Sequence, residues 1–287
     1  MAALPLTDVR ILSLALNLPG PAALMRCRRM GATCVKLEPP AGDPMRHYNP
    51  GAYAELHEGV TVVAADLKTS TGQAVLHEKL ARTHVLLTSF RPSALGKLGL
   101  GWDALHARYP SLSQVSIVGG AGDAAEVPGH DLTYLAEHDL VTGTELPATL
   151  FADMAGSLMA SEAVLRATLL EAGTSTGAFI EVALADAAQY LALPRRWGLT
   201  QPGGAVGGAH AGYRVYPCKD GRVAVAALEP HFAAALCAAA GLASSDMKAM
   251  FQPQTHSAIA AFLAAKTRAQ LEALAAERDL PLHTMSA

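Results

Sequence analysis

Charge is scarce in this sequence: of its 287 residues only 16% are Asp, Glu, Lys or Arg, well under the roughly 25% of an average soluble chain. The 22 basic and 25 acidic residues leave a formal net charge of −3. That gives no basic footprint and excludes a nucleic-acid binder driven by charge. Few charges beside 51% apolar residues also exclude intrinsic disorder. Cysteines are few as well. Cys27, Cys34, Cys218 and Cys237 contain no CxxC pair, so neither a disulfide framework nor a zinc signature is present, and the usage fits a reducing cytoplasm. Long apolar runs are missing. Residues 11–18 follow Asp8 and Arg10 and run into Pro19-Gly20-Pro21, which marks an opening strand and loop and not a signal peptide. Residues 232–243 are alanine-rich and too short to span a bilayer. The expectation is a soluble protein with no membrane partner.

Short β-branched runs alternate with helical patterns through the first two-thirds of the chain. Residues 9–14 read as a strand, 21–30 as a helix opened by proline and closed by Gly31, and 34–37 as a second strand ended by Pro39-Pro40. A third strand covers 60–65. The helix over 70–82 takes Ser70 as its cap and carries Val75, Leu76 and Leu80 on one face. Strands at 85–88 and 114–118 flank a helix near 102–109, and 178–184 is a further strand. Strands separated by helices require a parallel sheet, because each crossover must return to the same edge. Their apolar runs suit a sheet covered on both faces. The pattern predicts a Rossmann-like open α/β layer over residues 1–195. Five glycines and a proline within 201–212 mark residues 196–212 as a linker. A hairpin follows, with strands at 213–216 and 222–227 around a Lys219-Asp220-Gly221 turn. Helices over 230–240, 257–264 and 268–277 complete a second, smaller α+β domain over 213–287.

The sequence has no Walker A loop and no GxSxG elbow. Gly119-Gly120-Ala121-Gly122 follows a strand but lacks dinucleotide-fingerprint spacing, so it reads as a flexible βα loop. Such a loop still lies where α/β sheets place their ligands. Three ionisable residues have suggestive settings. His130 follows that loop and opens an apolar helical run, Asp153 stands directly before a helix that is apolar nearly all round, and Glu229 precedes Pro230 where a strand turns into a helix. Singly, each has a structural explanation: a satisfied histidine, an N-cap, and a carboxylate at the positive end of a helix.

Their joint placement accompanies an ordered series of motifs. These are Leu18-Pro19-Gly20-Pro21, Val35-Lys36-Leu37-Glu38-Pro39-Pro40, Gly42-Asp43-Pro44 and Asp66-Leu67-Lys68-Thr69, then Ser89-Phe90-Arg91-Pro92 with Leu95-Gly96-Lys97-Leu98-Gly99-Leu100-Gly101. Pro128-Gly129-His130-Asp131-Leu132, Asp153 with its helix, Thr176-Gly177 and residues 182–186 continue it. In this order, from about residue 5 to residue 245, the chain resembles the class III CoA-transferase family of the CaiB–BaiF type. The stretches around His130 and Glu229 look most like the branch that racemises 2-methylacyl-CoA thioesters.

The resemblance implies an acyl-CoA α-racemase in which His130 and Asp153 transfer protons and Glu229 pairs with His130. Coenzyme A would enter as part of the substrate, with no tightly bound cofactor and no metal. It also implies an interlocked homodimer with the site between subunits, so that Glu229 acts in trans. Arg91, Lys36, Arg46 and Lys97 become candidates for the CoA phosphates, which cations usually hold; for Lys97 the solvated-surface reading is the better one. Two other activities fit the same resemblance: a CoA-transferase with Asp153 as nucleophile, and a non-catalytic acyl-CoA-binding homologue. The chain departs from the family at Glu55-Leu56-His57-Glu58-Gly59, where relatives carry a basic Asn-Arg-Gly-Lys stretch. A second departure is expected after the small domain, where the segment returning to the large domain is short or absent.

Overall fold

The computed structural model describes residues 4–243 and 246–287. It divides into two compact units, Met1–Ala192 and Leu193–Ala287. In the first, strands β1 (Arg10–Ser13), β2 (Thr33–Glu38), β3 (Thr61–Ala64), β4 (Val85–Thr88), β5 (Ser113–Val118) and β6 (Phe179–Ala183) form one sheet in the order β3-β2-β1-β4-β5-β6. Every pairing in it is parallel. The crossovers carry α1 (Pro19–Arg29), α2 (Met45–Tyr48), α3 (Pro50–Leu56), α4 (Ser70–Leu80), α5 (Pro92–Lys97), α6 (Trp102–Arg108), α7 (Asp131–Glu137), α8 (Phe151–Thr174) and α9 (Leu184–Leu191).

Strand alternation explains why both faces are covered. Ile11, Cys34, Val85 and Leu87 join one apolar cluster with Leu24 and Cys27 of α1 and Ala160, Ala163 and Val164 of α8. Their strand neighbours Leu12, Leu37 and Leu86 point the other way, into a cluster with Leu76 and Leu80 of α4, Leu95 of α5 and Leu105 of α6. Small residues on the buried side of α8, among them Ala152, Gly156, Ala160 and Ala163, let this 24-residue helix lie close to its neighbours. Strand order reverses between β1 and β4, which makes a topological switch point with its crevice at the carboxyl ends of those two strands.

The predicted α/β layer is present, with several local differences. The first helix starts at Pro19, two residues early. The cap of α4 is Thr69, whose hydroxyl accepts the Gly72 N–H at 3.0 Å; Ser70 is already helical. Asp153 lies inside the first turn of α8 and does not precede it.

The second unit begins with a short helix, α10 (Leu193–Arg196), and a 3₁₀ turn at Ala205–Gly207. Strands β7 (Tyr213–Cys218) and β8 (Gly221–Ala226) form the expected hairpin. Helices α11 (Pro230–Ala239), α12 (Met247–Met250), α13 (Pro253–Ala264) and α14 (Arg268–Arg278) follow, then β9 (Leu282–Met285), which pairs antiparallel with β8. The hairpin is therefore two strands of a three-stranded sheet; β9 and α12 are not evident in the hydrophobic pattern. No helix among the described residues is long and apolar enough to cross a membrane.

Candidate active site

A cavity of about 230 Å³ opens at the switch point. Leu16 and Asn17 reach it from the end of β1, Ser89, Phe90 and Arg91 from the end of β4, and Ile117, Val118 and Gly119 from β5. His130, Tyr134 and Asp153 close the remaining side. The crevice that sheet topology dictates is thus lined by two of the residues singled out in the sequence, His130 and Asp153.

His130 sits at the N-cap position of α7 in extended conformation. Its backbone N–H donates to the Thr133 hydroxyl at 3.0 Å, and its carbonyl accepts from that hydroxyl at 2.7 Å. The exposed imidazole therefore starts from a fixed backbone. Asp153 is half-buried in the first turn of α8. Burial above all, and then the Asp131 carboxylate, raise its pKa to about 6 against the opposing pull of the His130 imidazole. Asp131 is a neighbour of Asp153 that sequence reasoning named without a role. It is buried, and its Oδ1 accepts the Asp153 backbone N–H at 2.9 Å. One carboxylate thereby caps α8, joins it to α7 and keeps its neighbour's proton affinity high. It also takes up one of the N–H groups at the start of α8.

Tyr134 is the second residue that went without a role. It follows His130 by one helical turn, a spacing that places both on one face. The ring packs where Gly119 and Gly129 leave room: a Cβ at either position would lie 2.5 or 2.7 Å from the tyrosine oxygen. Across the mouth, Glu126 accepts the Ser93 N–H at 2.7 Å and the Ser93 hydroxyl at 2.8 Å. These two bonds hold its carboxyl below the usual range and tie the loop leading to His130 to the loop carrying Arg91.

The sequence model of CoA-transferase family III matches residues 6–286. The chain belongs to that family. Among family III relatives, the alpha-methylacyl-CoA racemase of Mus musculus is 30% identical, with 92% of this chain and 73% of that protein covered. The cinnamoyl-CoA:phenyllactate CoA-transferase of Clostridium sporogenes is 34% identical over 48% of this chain. The succinyl-CoA–D-citramalate CoA-transferase of Chloroflexus aurantiacus is 36% identical over 40% of it. The chain spans only 37% and 31% of those two transferases' own length. A hypothetical protein of Mycobacterium tuberculosis has the same fold, with a TM-score of 0.85 at 24% identity over all of this chain and 86% of that one. The first three of these relatives are, by name, racemases or transferases of CoA thioesters.

The four cations proposed for the CoA phosphates separate in this family III structure. Arg91 is exposed and lines the cavity at the N-cap of α5. Arg46 and Lys97 are exposed but lie outside the cavity lining: the Arg46 guanidinium stands 5.4 Å from the Tyr53 ring centroid, and Lys97 ends α5. Lys36 is a correction. It is fully buried, and its ammonium binds Asp43 and, at 3.2 Å, Glu38, both buried as well. It has no open side for a phosphate.

Its partners give Lys36 a different task. Asp43 accepts the Asn17 N–H at 3.2 and 3.1 Å and the Met45 N–H at 2.9 Å, so the buried pair fixes the left-handed turn at Asn17 that lines the cavity. His57, in the segment that departs from the family pattern, completes the group. Its Nδ1 donates to the Tyr53 carbonyl at 2.7 Å, which leaves Nε2 to accept from Lys36 Nζ at 2.8 Å. Burial above all, and then that ammonium, holds the ring below its ordinary pKa, against the pull of the Tyr53 carbonyl. Glu38, Asp43 and His57 bring ligand atoms within 4.8 Å of one another, and Lys36 is the cation they share. Lys36→Met leaves two buried carboxylates unpaired and is expected to cost about 3 kcal/mol of stability. A urea midpoint equal to the parent's rejects that account.

Glu229 belongs to the second unit, exposed at the N-cap position of α11.

Proposed function

We propose that this chain is an acyl-CoA α-racemase, exchanging the α-proton of a 2-methyl-branched acyl-CoA through an enolate. The observation that carries the reading is that His130 and Asp153 line one cavity, with the Asp153 carboxyl raised to about 6. A carboxyl at that value enters the range in which imidazoles titrate. A racemase must run equally well both ways, so each of its two acid–base groups must be able both to take and to give a proton. One of them, unprotonated, takes the α-proton. The C–H electron pair then forms the enolate C=C bond, and the carbonyl π pair moves onto oxygen. The other group, protonated, delivers its proton to the opposite face.

Arg91 is the cation best placed for the phosphates of CoA, which enters only as part of the substrate. Glu229 is proposed as the carboxylate that pairs with His130, supplied by a second copy in an interlocked homodimer. A CoA-transferase is the second reading, favoured by the transferase relatives, whose identities match the racemase's. There the ionised Asp153 carboxylate attacks the thioester carbonyl and expels CoA as the thiolate.

Incubation of one enantiomer of a 2-methylacyl-CoA in heavy water separates the two. The expected result is deuterium at the α-carbon with loss of optical purity. Transfer of CoA to a free acid, without α-deuterium, favours the transferase.

A further inference from the structure

We propose that the Tyr134 hydroxyl is a further catalytic residue, donating a hydrogen bond to the thioester carbonyl oxygen as it becomes the enolate oxygen. This rests on the racemase reading above. Three observations carry it. The Tyr134 side chain is nearly buried at 8% exposure, yet it lines the same cavity as His130 and Asp153. Among the hydrogen bonds of the described residues its hydroxyl has no protein partner, and its oxygen is not one of the buried unpaired polar atoms, so it meets open space. And two glycines flank that oxygen, where any side chain would collide with it. The hydroxyl is thus kept clear of protein groups and presented to whatever fills the cavity.

Three of the backbone donors beside the pair are already committed. The Asp153 N–H goes to Asp131, the His130 N–H to Thr133, and the Met154 N–H to Leu150. Burial and the nearby Asp153 charge also hold the Tyr134 pKa above its ordinary value, so the group remains a donor throughout the neutral range. Its proton stays on tyrosine. The hydrogen bond strengthens as charge moves onto the oxygen, and a donor of that kind in a site shielded from water is worth about 10²–10³ in rate.

The test is Tyr134→Phe in the full chain, which removes the oxygen and keeps the ring between the two glycines. In heavy water, kcat for α-deuteration of a 2-methylacyl-CoA is expected to fall about 10²-fold with KM changed less than threefold. Calorimetry with that thioester and with the matching S-alkyl CoA thioether, which has no carbonyl, gives a second readout. The parent is expected to prefer the thioester, and the variant to lose that preference. A variant within threefold of the parent in kcat overturns the proposal and assigns the oxygen to a backbone donor. A parent without α-exchange sinks the racemase reading alone. The thioester preference then decides the hydrogen bond: equal preference in parent and variant overturns it, and loss confined to the variant supports it.

Discussion

Asp153→Asn is expected to abolish turnover, by at least about 10³-fold in kcat, and to make the folded protein more stable near neutral pH. Both effects come from the same placement. The carboxyl is half-buried beside Asp131, and its pKa is raised from 3.8 to about 6. Above the folded value the native state carries a charge that its surroundings disfavour, whereas the unfolded chain carries it freely in water. The sign follows from proton uptake. Between about 4 and 6 the native state binds more protons than the unfolded state, so this group's contribution to stability falls as pH rises through that window. Above it the full cost remains, on the order of 2 kcal/mol. Asparagine has the same shape without the charge. The melting temperature of Asp153→Asn should therefore exceed the parent's at pH 8, and the gap should close as pH falls below about 4. A variant that is inactive but also less stable at pH 8 contradicts the electrostatic account, because Asp153 would then hold the fold by a contact that asparagine cannot make.

The cavity's address was legible in the sequence only as the carboxyl end of a parallel sheet, and the strand order supplies the rest. Alternating strands and helices dictate a parallel sheet, and the reversal between β1 and β4 places a crevice beside Asn17 and Arg91. His130 and Asp153 were found because they stand at the junctions where helices begin at that crevice. What stayed hidden depends on burial across the fold. Asp131 looks like any acidic residue in a first helical turn until its oxygen is seen on the Asp153 N–H, twenty-two positions away. Lys36 read as a cation free to meet a CoA phosphate because lysine is almost never fully buried unless paired. Its partners, Asp43 and His57, lie seven and twenty-one residues along the chain, and no local pattern links them. The acidic stretch at 55–59 read only as a missing basic patch, yet His57 within it is an inward-facing acceptor for that same lysine. Strand β9 was missed for a related reason: Leu282–Met285 alternates over only four residues, and its partner strand is some sixty positions earlier.

His130→Ala should separate two events that the parent performs together. Two acid–base groups on opposite faces of the α-carbon make inversion a relay: one takes the proton and the other returns one. Without the imidazole the relay is broken, and interconversion of the enantiomers is expected to fall by about 10³-fold or more. Asp153 still faces the cavity. For the enantiomer whose α-hydrogen points at Asp153, the carboxylate can remove the proton, exchange it with solvent and return it to the same face. That enantiomer should gain α-deuterium in heavy water with its configuration retained, while its mirror image gains none. The asymmetry is the decisive feature, because a general loss of structure slows both enantiomers alike. Acyl transfer to a free acid needs no group on the second face, so any such activity in the parent should survive in His130→Ala and vanish in Asp153→Asn. If His130→Ala loses exchange for both enantiomers to the same degree while its melting temperature matches the parent's, the two groups do not flank the α-carbon. If it still racemises at the parental rate, the imidazole lines the cavity without taking part in proton transfer.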